Sequence, residues 1–136
     1  MKNYTFGSKS KARLKTCHPD LVKLANMAIT YVDFSVIYGH RTEDEQNKIY
    51  KQGYSQLQWP ESKHNYYPSH AIDFMPYPVN WNDRERFTLV GSVFKGLSIA
   101  MDIPIIWGGD WDNDGELADN NFDDLGHIEL DEEYYG

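Results

Sequence analysis

Two short stretches carry the residue types that metal-assisted hydrolysis needs. Residues 62–73 read SKHNYYPSHAID and residues 124–130 read DLGHIEL. Together they offer His64, Asp73 and His127 as three nitrogen or oxygen ligands, with Asp124 three residues before the last of them. A catalytic zinc takes three such protein ligands and keeps a fourth position for water. The metal lowers the pKa of that water, and a nearby carboxylate can carry its proton to a leaving amine. His70 offers a competing His-x-x-Asp spacing with Asp73. Residues three apart on a strand point to opposite faces, so the reading prefers His64. The plain alternative, histidines on the surface or hydrogen-bonded within the core, stays open on spacing alone.

The elements that must position these residues follow from the pattern of the chain. Pro19 and Asp20 suit a first helical turn, and Leu21, Leu24, Ala25 and Ala28 recur at helical spacing, predicting a helix to about Tyr31. Residues 33–38, DFSVIY, read as a strand ended by Gly39. Thr42 and Glu45 form a capping-box pattern for a helix reaching Gln52 and stopping at Gly53. Residues 54–67 read as a long loop rich in aromatics, which either line a groove or cover the core. Ala71–Phe74 reads as a short strand carrying Asp73. Asn82 with Glu85 predicts the start of a helix whose Phe87, Val90, Phe94, Leu97 and Met101 form one stripe. Ile103–Trp107 and Gly126–Leu130 read as strands, the second with Ile128 and Leu130 inward and His127 and Glu129 on the other face.

These residues resemble a known family. The pattern SxH…AxD followed by (D/E)xxHxEL is similar to zinc peptidases that share a fold with D-alanyl-D-alanine carboxypeptidases and the hedgehog signalling domain. Within that group it most resembles phage endolysins that cut between L-alanine and D-glutamate in peptidoglycan. Ser62, His64, Ala71 and Asp73 carry the first motif, and Asp124, His127, Glu129 and Leu130 the second. Gly39 and Arg41 in YGHRTEDEQ and the WGGDW segment from Trp107 to Trp111 match two more, so the resemblance runs from about His18 to Leu130. The chain departs from the usual pattern in placing Asp73 nine residues after His64, where seven is common, with Pro68 and Ser69 between.

The resemblance implies an α+β fold, a small and mostly antiparallel sheet with packed helices. It implies Zn2+ held by His64, Asp73 and His127, and Asp124 in preference to Asp123 as general base and acid. Arg41 is expected to clamp a substrate carboxylate, a task its planar fork suits. Ser62 is expected to help hold the peptide, and Glu129 to orient a ligand or the substrate. A D,D-carboxypeptidase or dipeptidase would use the same chemistry on a neighbouring bond, and a zinc-binding module without catalysis would keep the ligands.

Length, charge and cysteine usage narrow the classes. The 136 residues suit a single domain, with residues 1–16 expected as a loosely ordered basic arm. No apolar run has the length of a membrane span, and the start of the chain lacks the apolar core of a secretory signal. A monomer made in the host cytoplasm and reaching the periplasm and wall at lysis is expected. A net charge of −8 argues against general nucleic-acid binding. Cys17 is the only cysteine and is expected to be buried and unreactive. Asp110, Asp112 and Asp114 with Gly115 match the first half of an EF-hand loop, whose closing Glu is replaced by Asn121. A regulatory Ca2+ there stands against a plain solvated acidic loop.

Overall fold

The computed structural model describes residues 4–113 and 124–135. Four strands form one sheet in the order β1-β2-β4-β3, every pair antiparallel: β1 (Phe34–Tyr38), β2 (Ala71–Pro76), β3 (Ile105–Trp107) and β4 (His127–Leu130). The helices are α1 (Ser8–Leu14), α2 (Pro19–Ala28), α3 (Glu43–Lys51), α4 (Arg84–Met101) and the short α5 (Glu132–Tyr135). The expected α+β architecture is what forms.

One face of the sheet meets α2 and α4 in a single apolar core. The Phe94 ring stacks on Phe74 at 5.6 Å between centroids and tilts against Phe34 at 5.4 Å. Burying side chains of this size stabilises by about 1.5–3 kcal/mol each relative to exposure, so these aromatics anchor α4 to β1 and β2. Strand alternation puts Ile128 and Leu130 into this core and leaves His127 and Glu129 on the opposite face.

Helix ends follow local chemistry. Thr42 makes the full capping box on α3: its hydroxyl accepts the Glu45 N–H while the Glu45 carboxylate accepts the Thr42 N–H. Gly53 closes that segment with φ of 82°. The cap of α4 is Asp83, one residue later than expected, with its carboxylate accepting the Arg86 N–H. Asn82 instead donates its N–H to the side chain of Asn80 in the preceding turn.

The arm expected over residues 1–16 is corrected by α1. Phe6 and Leu14 are buried in the core. Ser10 Oγ accepts the Val36 N–H at 3.0 Å, and an Arg13 Nη donates to the Val36 carbonyl at 2.9 Å. The helix thereby satisfies the outer edge of β1, which would otherwise present unpaired backbone groups. Its cohesion comes from covering a strand edge, which hydrophobic periodicity does not reveal. Cys17 is buried as expected, and burial raises its thiol to about 11.

Candidate metal centre and active site

The sheet register sets the site. Asp73 on β2 stands directly opposite His127 on β4, and Glu129 lies two residues along on the same face. Across the other side of β2, a β1 irregularity between Val36 and Tyr38 brings Tyr38 opposite Asp73. The third candidate ligand comes from a 3-10 turn, Lys63–Asn65. Ser62 caps that turn by accepting the His64 N–H, and the Asn65 side chain returns to the Ser62 N–H. The His64 carbonyl accepts the Arg41 N–H at 2.8 Å, which ties the turn to the residues after β1.

His64 Nε2 lies 3.1 Å from Asp73 Oδ1, and His127 Nδ1 lies 2.9 Å from the same oxygen. The three donor atoms fall within 4.8 Å of one another. The longer spacing between His64 and Asp73 does not separate them. Ser69 is fully buried and pinned to the α1–α2 connection: its N–H donates to Thr16 and its carbonyl accepts from His18. Of the additional residues, Pro68 is exposed while Ser69 packs against that connection.

The far nitrogen of each ring decides whether a cation suits the site. His64 Nδ1 sits 2.7 Å from the Gly39 carbonyl, which can only accept, so that nitrogen carries the proton. In the neutral ring Nε2 then turns a lone pair toward Asp73. Burial favours that neutral ring and lowers the His64 pKa, more strongly than the Asp73 charge raises it. His127 Nε2 sits 2.8 Å from Glu129 Oε1, leaving Nδ1 to face the centre. This is the partner arrangement that orients metal-bound imidazoles. Without a metal, burial opposes the charge on His127, but its bonds to Asp73 and Glu129 hold the ring up to about 10. Burial likewise opposes the Asp73 anion, yet His64 and His127 keep it well below the usual carboxylate range. A buried anion between two imidazoles is a donor set suited to a divalent cation.

Arg41 is engaged within the protein. One Nη bonds Asp73 Oδ2 at 2.6 Å, the other reaches Gln46 Oε1 at 3.3 Å, and the guanidinium lies 4.3 Å over the Tyr38 ring. Its buried Nε has no partner among the described residues. Gln46 is a fully buried hub, also taking Asn65 and donating to Ser55 and the Leu57 carbonyl. Its place on a strongly polar helix gave the sequence reading no reason to single it out.

Asp124 is exposed, at the mouth of the site. Its backbone is held on both sides: its N–H donates to the Gly108 carbonyl at 2.8 Å, and its carbonyl accepts the His127 N–H at 3.0 Å. Gly108 permits this approach because any Cβ there would strike the Asp124 backbone. Partial desolvation, then the Asp73 charge, raises the Asp124 carboxyl above the ordinary range. Trp111 leans against the His127 ring at 5.5 Å. Two cavities of about 550 and 430 Å3 meet here and share Arg41, Tyr54, Asp73 and Asp124 in their walls.

The remaining candidates are elsewhere or differently used. His70 tilts against Tyr66 at 4.6 Å and edges against His18, outside the three-donor cluster. His40 bonds the Tyr66 carbonyl through Nδ1 and packs on Tyr67. The calcium reading finds no support: Asp110 is fully buried with its carboxylate on the Lys95 ammonium, where a cation is already present. Among the described residues Asp112 belongs to no metal-binding group, and Asp114 and Asp123 lie outside the described residues.

An antiparallel sheet bearing a buried His–Asp–His donor set, with a carboxylate at the mouth of a groove, defines a candidate metallohydrolase site. The family model described as phage L-alanyl-D-glutamate peptidase matches residues 2–131, and the chain belongs to that family. It is similar to the L-alanyl-D-glutamate peptidase of Escherichia phage T5, 33% identical over 136 residues, covering 94% of this chain and 98% of that protein. Its fold is similar to the crystal structure of the Serratia marcescens L-Ala D-Glu endopeptidase ChiX, with a TM-score of 0.76 and 26% identity, covering 96% of this chain and 93% of that one.

Proposed function

We propose that this chain is a single-domain, zinc-dependent endopeptidase that hydrolyses the L-alanyl–D-glutamate bond of peptidoglycan and serves a phage as its endolysin. The observation that carries the reading is the convergence of His64 Nε2, Asp73 Oδ1 and His127 Nδ1 on one point beside Asp124. The named activities of the phage T5 and Serratia relatives supply the bond. Nitrogen and oxygen donors in a set of three, with both imidazoles braced from behind, suit catalytic zinc.

His64, Asp73 and His127 hold the metal. Zinc bound there supplies a Lewis acid for the scissile carbonyl and makes water acidic enough to give up a proton near neutral pH. Asp124 accepts that proton and delivers it to the leaving amine nitrogen. A carboxylate at this position is basic enough to take the proton and, once protonated, acidic enough to give it to the amine. Glu129 fixes the His127 tautomer. Arg41 steadies Asp73 and sets its charge in the groove wall, and Ser62 shapes the turn that presents His64. The protein acts from the host cytoplasm outward, reaching the wall at lysis.

Digesting purified peptidoglycan and weighing the fragments tests the reading. Expected are peptides with a new amino-terminal glutamate, lost on chelation and restored by zinc. Release of D-alanine alone would reassign the enzyme to carboxypeptidase chemistry.

A further inference from the structure

The two cavities differ in what they can hold. Beyond the residues they share, the described walls of the 430 Å3 cavity carry Glu61, Lys63 and Glu129, a mixed-charge surface. The 550 Å3 cavity is walled by Ile37, Ile49, Phe87 and Leu125 and has one further charged side chain, Arg84. Trp81 stands at its rim, 68% exposed. Its indole stacks on Phe87 at 6.1 Å with 27° between the rings, and Phe87 is buried in the core. The Trp81 ring is therefore backed by the core while much of it meets water. An indole braced against the core at the lip of an apolar cavity presents a flat ring face to whatever enters that cavity.

The bond assigned above divides a substrate with unlike halves. Downstream is a glutamate that keeps a free carboxylate, followed by further charged groups. Upstream is one alanine, joined through its nitrogen to the uncharged sugar of the glycan. A saccharide ring offers a face of C–H groups that packs flat on an indole, with hydroxyls left at its rim. The geometry points to the 550 Å3 cavity as the glycan-side subsite, with Trp81 as the platform for the sugar next to the stem peptide. The charged half of the peptide runs through the 430 Å3 cavity. Trp81 is thus a specificity-determining residue for wall-attached over free peptide, and this assignment rests on the endopeptidase reading.

Two soluble substrates separate the possibilities: a disaccharide-linked stem peptide, and the same peptide bearing only an acetyl group on its alanine. Trp81→Ala is expected to lower kcat/KM about five- to tenfold on the first, the scale of one aromatic stacking contact. On the second the change should stay below about twofold. Trp81→Phe should recover part of the loss, and neither variant should shift Tm, because the side chain is largely outside the core. Equal losses on both substrates, or no loss on either, would overturn the subsite. Wild-type cleavage at Ala–Glu in both substrates is a separate readout. If fragment masses place the cut at another bond, the endopeptidase reading fails and the subsite falls with it.

Discussion

Gly108→Ala tests whether Asp124 works through its position. The added Cβ would lie 2.8 Å from the Asp124 carbonyl carbon and 3.1 Å from its Cβ, and would overlap the carbonyl oxygen outright. Relaxed carbon–carbon contacts sit at about 3.5–4.0 Å, so the Asp124 backbone must retreat by roughly 1 Å. The backbone at Gly108 is not in the left-handed region, so space alone is at issue. The retreat strains both bonds that hold Asp124, to the Gly108 carbonyl and from the His127 N–H. A misplacement of about 1 Å in a catalytic group costs on the order of a hundredfold in rate, about 2.7 kcal/mol in the barrier. The ligands should survive, because His127 is locked into β4 by its register with β2. The assay is turnover of a soluble stem-peptide substrate alongside zinc content by elemental analysis. A drop of about a hundredfold in kcat with one zinc retained is expected. A kcat within about twofold of wild type, in a folded and metal-loaded variant, would refute the positional argument.

Other perturbations follow from the same geometry. Asp124→Asn should keep zinc and lose about 10²–10⁴-fold in kcat, measured on the same substrate. The pH profile should show why: kcat/KM falls as pH drops through the Asp124 pKa, because the protonated carboxyl cannot accept from water. In the metal-free protein a carboxyl NMR titration should find Asp124 above the ordinary carboxylate range. A metal-free Asp124 that titrates at or below that range would contradict the desolvation argument. Glu129→Gln removes the charge behind His127 Nε2 and should weaken zinc binding about 10–100-fold, read by competition with a chromophoric chelator. Ser10→Ala strands the buried Val36 N–H and should destabilise by about 1–3 kcal/mol in urea denaturation, with zinc affinity unchanged.

Local rules made much of this legible. The Thr42–Glu45 box, the apolar stripe of α4 and the alternation of β4 are each written in a few adjacent residues, and each forms. The clustering of His64, Asp73 and His127 was legible because a strand pair and a turn supply those donors at motif spacing. What escaped depends on partners distant in the chain. Ser10 and Arg13 matter because Val36 is an edge position, known only once the sheet is assembled. Asp110 satisfies an EF-hand spacing, but spacing is silent on burial, and Lys95 claims its carboxylate from a helix fifteen residues earlier. Gln46 reads as one polar residue among many on α3, yet it is buried because Arg41, Asn65 and the loop after α3 close over it. Gly108 reads as half of a turn, while its actual constraint is the passage of Asp124.

Gly39 ties the chemistry to a remote part of the chain. Its carbonyl orients His64, and a Cβ there would meet the Arg13 carbonyl, Thr16 Oγ1 and Cys17 Sγ at 2.5–2.7 Å. The segment closing α1 is thus a keel beneath a candidate ligand that lies far from it in the sequence. Trimming the first fifteen or so residues as if they were a dispensable leader would loosen the imidazole they ballast, and the cost would surface as lost metal before it surfaced as lost fold.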